Sequence, residues 1–182
     1  MLRTENIYYL EMTSPEQLLP GRTPARPLEL RQARNPFPEL NRFLYTAVGG
    51  DWFWVDRLSW DYARWQEFLQ RPGHETWVAY LDGTPAGYFE LEGETGGEVE
   101  IVSFGLLPAF AGQGFGGWFL TEAVRRAWAK APTKVWLHTC SFDHPAALAN
   151  YQARGFRLVR TEEHLKEMPD RTPGVWPGAG RD

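Results

Sequence analysis

The stretch from 98 to 131 constrains this chain more than any other part of it. Its opening, Glu98-Val99-Glu100-Ile101-Val102-Ser103-Phe104-Gly105-Leu106-Leu107, is rich in β-branched and aromatic residues, and Val99 and Ile101 alternate with Glu98 and Glu100. That predicts a strand with one apolar face, and Gly105 inside it predicts a bulge near Phe104-Gly105. Its end carries Leu120, Ala123, Val124, Ala127 and Ala131 at helical spacing, with Glu122, Arg125, Arg126 and Lys130 off the stripe and Pro132 as the stop. Between strand and helix lie Gly112, Gly114, Gly116 and Gly117. The first amides of a helix have no partner inside it, the helix dipole adds partial positive charge there, and glycine lets a ligand approach the backbone closely. The pattern predicts a loop that grips a phosphorylated ligand.

The flanking chain supplies a sheet and more helices. Residues 6–12 are aromatic and β-branched and predict a short strand; Pro15, Pro20, Pro24 and Pro27 then space out a loop, and 28–33 alternates as a second strand. Asn35 with Pro36 and Pro38 opens a helix carrying Leu40, Phe43, Leu44 and Ala47, which stops at Gly49-Gly50. Ser59 is placed to cap a second helix over 60–70, with Pro72-Gly73 as its end. Runs 76–81 and 86–91 flank Asp82-Gly83, a hairpin signal, and with 98–107 they predict an antiparallel meander. A strand over 134–140, a short helix capped by Asp143 or His144 and closed by Gly155, and a strand over 156–161 follow. This order predicts a mixed α/β fold: one mainly antiparallel central sheet flanked by helices. A single domain over 1–182 is expected, with an N-terminal arm over 1–34 and an irregular Pro- and Gly-rich tail over 168–182.

Composition narrows the partners. The net charge is −4, and nucleic acid or an anionic membrane demands a basic footprint instead. Cys140 is the single cysteine, so no internal disulfide forms, and the first twelve residues hold no long apolar run. The chain is therefore expected to be cytoplasmic.

Gly112-x-Gly114-x-x-Gly117 matches the dinucleotide-binding spacing letter for letter, which on its own is a weak signal. That reading also needs an acidic residue at the end of the next strand, where this chain has Leu137-His138-Thr139-Cys140. A Walker loop fails as well, because Trp118 stands where lysine is required. Two segments together point elsewhere. Pro108-Ala109-Phe110-Ala111-Gly112-Gln113-Gly114-Phe115-Gly116 resembles the pyrophosphate loop of the GNAT superfamily of acyl-CoA-dependent N-acyltransferases, Arg/Gln-x-x-Gly-x-Gly/Ala. Further on, Ala147-Leu148-Ala149-Asn150-Tyr151-Gln152-Ala153-Arg154-Gly155-Phe156 is similar to that family's second signature, Ala-x-x-x-Tyr-x-x-x-Gly-Phe. The resemblance covers residues 76–161. Ala111 departs from it where Arg or Gln is usual, and His144 where Asn is common.

The resemblance implies an N-acetyltransferase that moves an acetyl group from acetyl-CoA, as co-substrate, to an amine of a small molecule or peptide by direct attack. Gly112, Gln113, Gly114, Phe115, Gly116 and Gly117 would hold the pyrophosphate, with Asn150 also on the cofactor. The Leu106 amide would meet the thioester carbonyl where its strand parts from the next, and Gln113 would compensate for Ala111. Tyr151 would be the acid that protonates the departing thiolate, packing being its plainer role. Glu100 is the first choice of base, facing the acyl group if no bulge separates it from Phe104 and Leu106, with Glu90 and a water relay as competitors.

Trp52 and Trp54 lie in an aromatic and acidic run, 51–60, that suits a substrate ammonium or, equally, core filling. His138 and Cys140 share a strand face near Asp143 and His144, but a metal site lacks a convincing ligand set, and none is expected. A non-catalytic acyl-CoA-binding module on the same fold is the alternative, and a dinucleotide-dependent oxidoreductase the weaker one. The sequence allows a homodimer without deciding for it.

Overall fold

A computed structural model of the chain describes residues 1–93 and 95–176. Its strands are β1 (Leu2–Met12), β2 (Glu29–Gln32), β3 (Glu75–Leu81), β4 (Thr84–Glu92), β5 (Glu98–Leu106), β6 (Lys134–Cys140) and β7 (Arg157–Glu167). Its helices are α1 (Pro38–Gly49), α2 (Tyr62–Leu69), α3 (Gly116–Trp128) and α4 (Ala147–Ala153).

Local chemistry explains most of these bounds. Asp82 and Gly83 both take positive φ, 50° and 80°, which is the two-residue turn that matches strand twist. The cap of α2 is Asp61, whose Oδ1 accepts from the Arg64 amide at 2.9 Å, so the helix starts after Asp61 and not after Ser59. Neither Asp143 nor His144 caps α4. Asp143 Oδ2 accepts from the Cys140 amide at 3.0 Å, and His144 Nδ1 accepts from the Ala146 amide at 3.0 Å, so both close turns ahead of the helix. β1 and β7 run longer than their apolar runs because they pair along their whole length, Leu2 opposite Glu167.

The strands form one sheet in the order β2-β3-β4-β5-β6-β1-β7. Every neighbouring pair is antiparallel except β5 and β6. The expected mixed, mainly antiparallel sheet flanked by helices is therefore present. The parallel pair holds only over Glu98–Lys134, Val99–Val135 and Glu100–Trp136. Beyond Glu100 the two strands part and leave a notch in the middle of the sheet.

The bulge is not at Phe104-Gly105. Against β4, Ile101 sits opposite Leu91 and Ser103 opposite Glu90, which leaves Val102 as the extra residue. Since side chains alternate along a strand, the bulge moves Phe104 and Leu106 to the face opposite Glu100. Gly105 is glycine for a packing reason: a Cβ there would run into Val48 Cγ1 of α1.

Two cores sandwich the sheet. α3 packs Phe119, Leu120 and Val124 on one face, against Leu10, Phe89, Leu91, Val99 and Leu137. α1 packs Leu44 and Val48 on the other, against Val78 and Tyr88. Fully burying one such apolar side chain contributes about 1.5–3 kcal/mol. The segment after β7 is irregular through 176, as expected, yet anchored: Met168 is buried and the Gly174 amide donates to the Gly50 carbonyl at 2.8 Å. The last glycines and proline of the expected tail, from 177, lie outside the described residues.

Candidate active site

The notch opens into a cavity of about 810 Å³ that reaches both faces of the sheet. Its walls come from β1, β5, β6, β7, the loop after α1, the glycine loop and α4.

On the α3 face, Gly112 and Gly114 take φ of 75° and 82°, which the glycine pattern anticipates, and a Cβ at either would meet open space. Phe119 is the first residue of α3 to donate back along the helix, to Phe115 at 2.9 Å. The amides of Gly116, Gly117 and Trp118 therefore have no partner within the helix. Gly112, Gly114, Gly116 and Asn150 line the cavity, which is the arrangement a pyrophosphate needs. Three other members of the loop are turned away. Phe115 is buried in the core, Gln113 Nε2 folds back onto the Ala109 carbonyl at 2.7 Å, and Gly117 packs against Gly21 and Arg154. The Gln113 side chain thus does not stand in for the one missing at Ala111.

The Leu107 amide donates to the Ala86 carbonyl at 2.9 Å. In an antiparallel ladder successive amides point to opposite sides, so the Leu106 amide points toward β6, where pairing has ended. Tyr151, on α4, borders the same cavity as Leu106, its ring edge-on to Phe104 with centroids 6.2 Å apart. It is 7% exposed and lines the cavity. Its hydroxyl has no hydrogen-bond partner among the described residues. Burial, and secondarily the charge of Asp143, push its pKa well up, so the hydroxyl keeps its proton at neutral pH.

On the α1 face the expected base is differently placed. Glu100 does not line the cavity. One of its carboxylate oxygens lies 3.2 Å from His138 Nδ1, and it is the His138 ring that borders the opening. Glu90 is closed off: fully buried, it takes Arg57 Nη1 at 2.8 Å and Asn41 Nδ2 at 2.9 Å. Trp52 and Trp54 do border the cavity. Trp54 Nε1 is pinned to Asp143 Oδ1 at 2.8 Å, and Trp52 meets His144 edge-on at 4.7 Å. Trp60 belongs to an internal cage with Trp65, Tyr45 and Phe68, whose cation is Arg57, 4.2–5.8 Å from the four ring centres.

The sequence reading missed Glu5 and Lys166. Both border the cavity, and the Lys166 ammonium lies 3.1 Å from Asp56 and 3.6 Å from Glu5. Glu5 lies just ahead of the aromatic run at 6–12 and Lys166 in a polar stretch, so neither stood out by pattern. Cys140 also borders the cavity, but burial and then Asp143 push its thiol up to about 12, which keeps it a neutral thiol and a poor nucleophile. Among the described residues no three His, Cys, Asp or Glu side chains are grouped to hold a metal ion, and no helix is long and apolar enough to cross a membrane.

Comparison with known proteins places this geometry. No curated protein matches the sequence. Among solved structures, a GCN5-related N-acetyltransferase from Kribbella flavida aligns with a TM-score of 0.62 at 20% identity, over 88% of this chain and 57% of its own. A GCN5-related N-acetyltransferase from Sphaerobacter thermophilus gives 0.61 at 22% identity, over 92% and 54%. A GNAT-family acetyltransferase described from Novosphingobium aromaticivorans gives 0.58 at 14%, over 91% and 65%. The chain spans between half and two-thirds of the length of these three proteins, and at such identities they speak for the fold. The model of the Acetyltransferase (GNAT) family matches residues 36–156, which takes in α1, the meander, the notch, the glycine loop and Tyr151. This chain therefore belongs to the Acetyltransferase (GNAT) family.

Proposed function

We propose that residues 1–182 act as one N-acetyltransferase domain, moving an acetyl group from acetyl-CoA to an amine of a small molecule or peptide by direct attack. One observation carries this reading: a single cavity joins the unpaired amides at the start of α3, the parted ends of β5 and β6, and the Tyr151 hydroxyl. The loop amides and Asn150 suit the pyrophosphate. The Leu106 amide suits the thioester oxygen as charge develops on it. Tyr151, kept protonated by burial, suits the departing thiolate.

The amine is assigned to the α1 face, between Trp52, Trp54, Glu5 and Asp56. The Trp52 and Trp54 rings there favour an ammonium-bearing acceptor, with Glu5 and Asp56 shared with the chain's own Lys166. A cytoplasmic location accords with use of acetyl-CoA, and light scattering would decide whether the chain is a homodimer. Ala111, with no side chain to reach a phosphate, favours the second reading, an acyl-CoA-binding module without turnover.

Calorimetric titration with acetyl-CoA, CoA and NAD, followed by an amine panel read by released CoA thiol, tests both. The enzyme reading expects acetyl-CoA binding and thiol release with at least one primary amine. Tight binding without turnover would leave the module, and preference for NAD would sink both.

A further inference from the structure

We infer that His138 takes the proton from the acceptor amine, with Glu100 as its positioning partner; the inference rests on the acyl-transfer reading of the cavity. The parallel register sets Glu100 opposite Trp136, which puts Glu100 and His138 on the same face of the sheet, the face of α1, Trp52 and Trp54. The bulge at Val102 then turns Leu106 to the opposite face, where Tyr151 of α4 also packs. An amine entering from the α1 face meets His138 before it meets the thioester.

The imidazole is held for this task. Glu100 accepts at Nδ1, 3.2 Å away, which fixes the neutral ring with its proton on Nδ1 and its lone pair on Nε2. Nε2 has no partner among the described residues, and the side chain is 46% exposed, toward the cavity. Tyr9 from β1 and Trp136 from β6 flank the ring at 5.9 and 6.3 Å.

The charged and titratable groups around it are mostly acidic. Glu100 faces it from β5, Glu5 from β1, and Asp143 from the loop after β6. Cys140 stays neutral, Tyr9 holds its proton under burial and its bond to Glu162, and Arg160 of β7 stands beyond the Tyr9 ring at 3.8 Å. The Glu100 hydrogen bond, against the cost of burial, raises His138 above its ordinary 6.5. That moves it toward neutrality, where a general base works best.

The acceptor ammonium gives one proton to Nε2. The freed nitrogen pair forms the N–C bond as the carbonyl becomes an oxyanion beside the Leu106 amide. Collapse breaks the C–S bond, the nitrogen sheds a second proton to solvent, the thiolate takes one from Tyr151, which solvent then restores, and Nε2 releases its proton to solvent. Glu90, walled in by Arg57 and Asn41, has no part in this.

Two measurements test the assignment. Imidazole NMR of the full chain without substrate is expected to show the Nδ1-protonated tautomer for His138, and a pKa that falls in Glu100→Gln. An Nε2-protonated ring, or a pKa that Glu100→Gln leaves in place, would overturn the dyad. Steady-state rates are then taken with acetyl-CoA and a panel of ethanolamine, spermidine, tyramine and lysine methyl ester. His138→Gln is expected to lower kcat about 100-fold, abolish the acidic limb of the pH profile and leave acetyl-CoA affinity within about twofold. Glu100→Gln is expected to move that limb to lower pH. Rates for His138→Gln within about twofold of wild type would sink the inference alone. Absence of wild-type turnover with every amine would sink the acyl-transfer reading and this inference with it.

Discussion

Arg57 shows how a residue's partners decide what a sequence pattern means. Aromatic rings interleaved with acids suit a substrate cation or core filling alike, and Trp60 of that run joins Tyr45, Trp65 and Phe68 around the chain's own guanidinium, paired with Glu90 inside the protein. Removing one member of such a pair strands the other. Arg57→Ala is expected to cost about 3–5 kcal/mol in urea unfolding, while Trp60→Ala leaves the pair intact and costs less. The pair also sets a pH dependence. Burial raises the Glu90 pKa, but Arg57, His74 and the hydrogen bonds outweigh it, so the folded value lies below 4.5. Below 4.5 the unfolded carboxyl binds a proton that folded Glu90 refuses. The pair's contribution is thus full above that pH and fades as pH falls through the folded value. Glu90→Gln should flatten the acid side of a stability–pH curve; an unchanged slope would show that other carboxylates set it. Across the sheet, Tyr151→Phe is expected to lower turnover by about tenfold or more with acetyl-CoA affinity nearly intact, and an unchanged rate would remove its hydroxyl from the chemistry.

At the scale of elements, α1 and β5 meet where Val48 lies over Gly105. Gly105→Ala is expected to destabilise by about 1–3 kcal/mol through overpacking. Val48→Ala in the same chain should recover part of that loss, which a double-mutant cycle in chemical denaturation would read. Gly105 also marks the limit of what the sequence discloses. Gly112 and Gly114 were legible because positive φ is a demand on the residue itself, and strand–loop–helix order is a local pattern. That Glu100 and Leu106 lie on opposite faces was not legible. It depends on the extra residue at Val102, an ordinary β-branched residue whose bulge is defined only against β4. The length of β7 was hidden for a similar reason: its side chains are mostly exposed and polar, so only pairing with β1 reveals it. His138 stayed undervalued because its carboxylate partner comes from a different strand.

In the whole molecule β1 lies between β6 and β7, hydrogen-bonded to both, and among the described residues it is the one strand that β7 pairs with. It also brings Glu5 and Ile7 to the cavity. Ile7→Pro, which removes a ladder donor and fixes φ within a central strand, is expected to abolish hydrogen-exchange protection across residues 157–167 together with acetyl-CoA binding. Protection that survives there would mean that β7 holds to the sheet without β1. The same placement has a consequence for synthesis. Ribosomes release β1 before every other described element, yet its two neighbours are the last strands made. The meander β3 to β5 can zip up from local contacts as it emerges, whereas β1 must wait, unpaired and carrying Leu10 and Met12, until β6 and β7 leave the tunnel. Pairings this distant in sequence make for slow closure, and an aromatic strand left waiting is open to capture by chaperones or by other chains. Nascent chains arrested before β6 should therefore be cut readily by protease within residues 2–12, and those arrested well beyond 167 should resist.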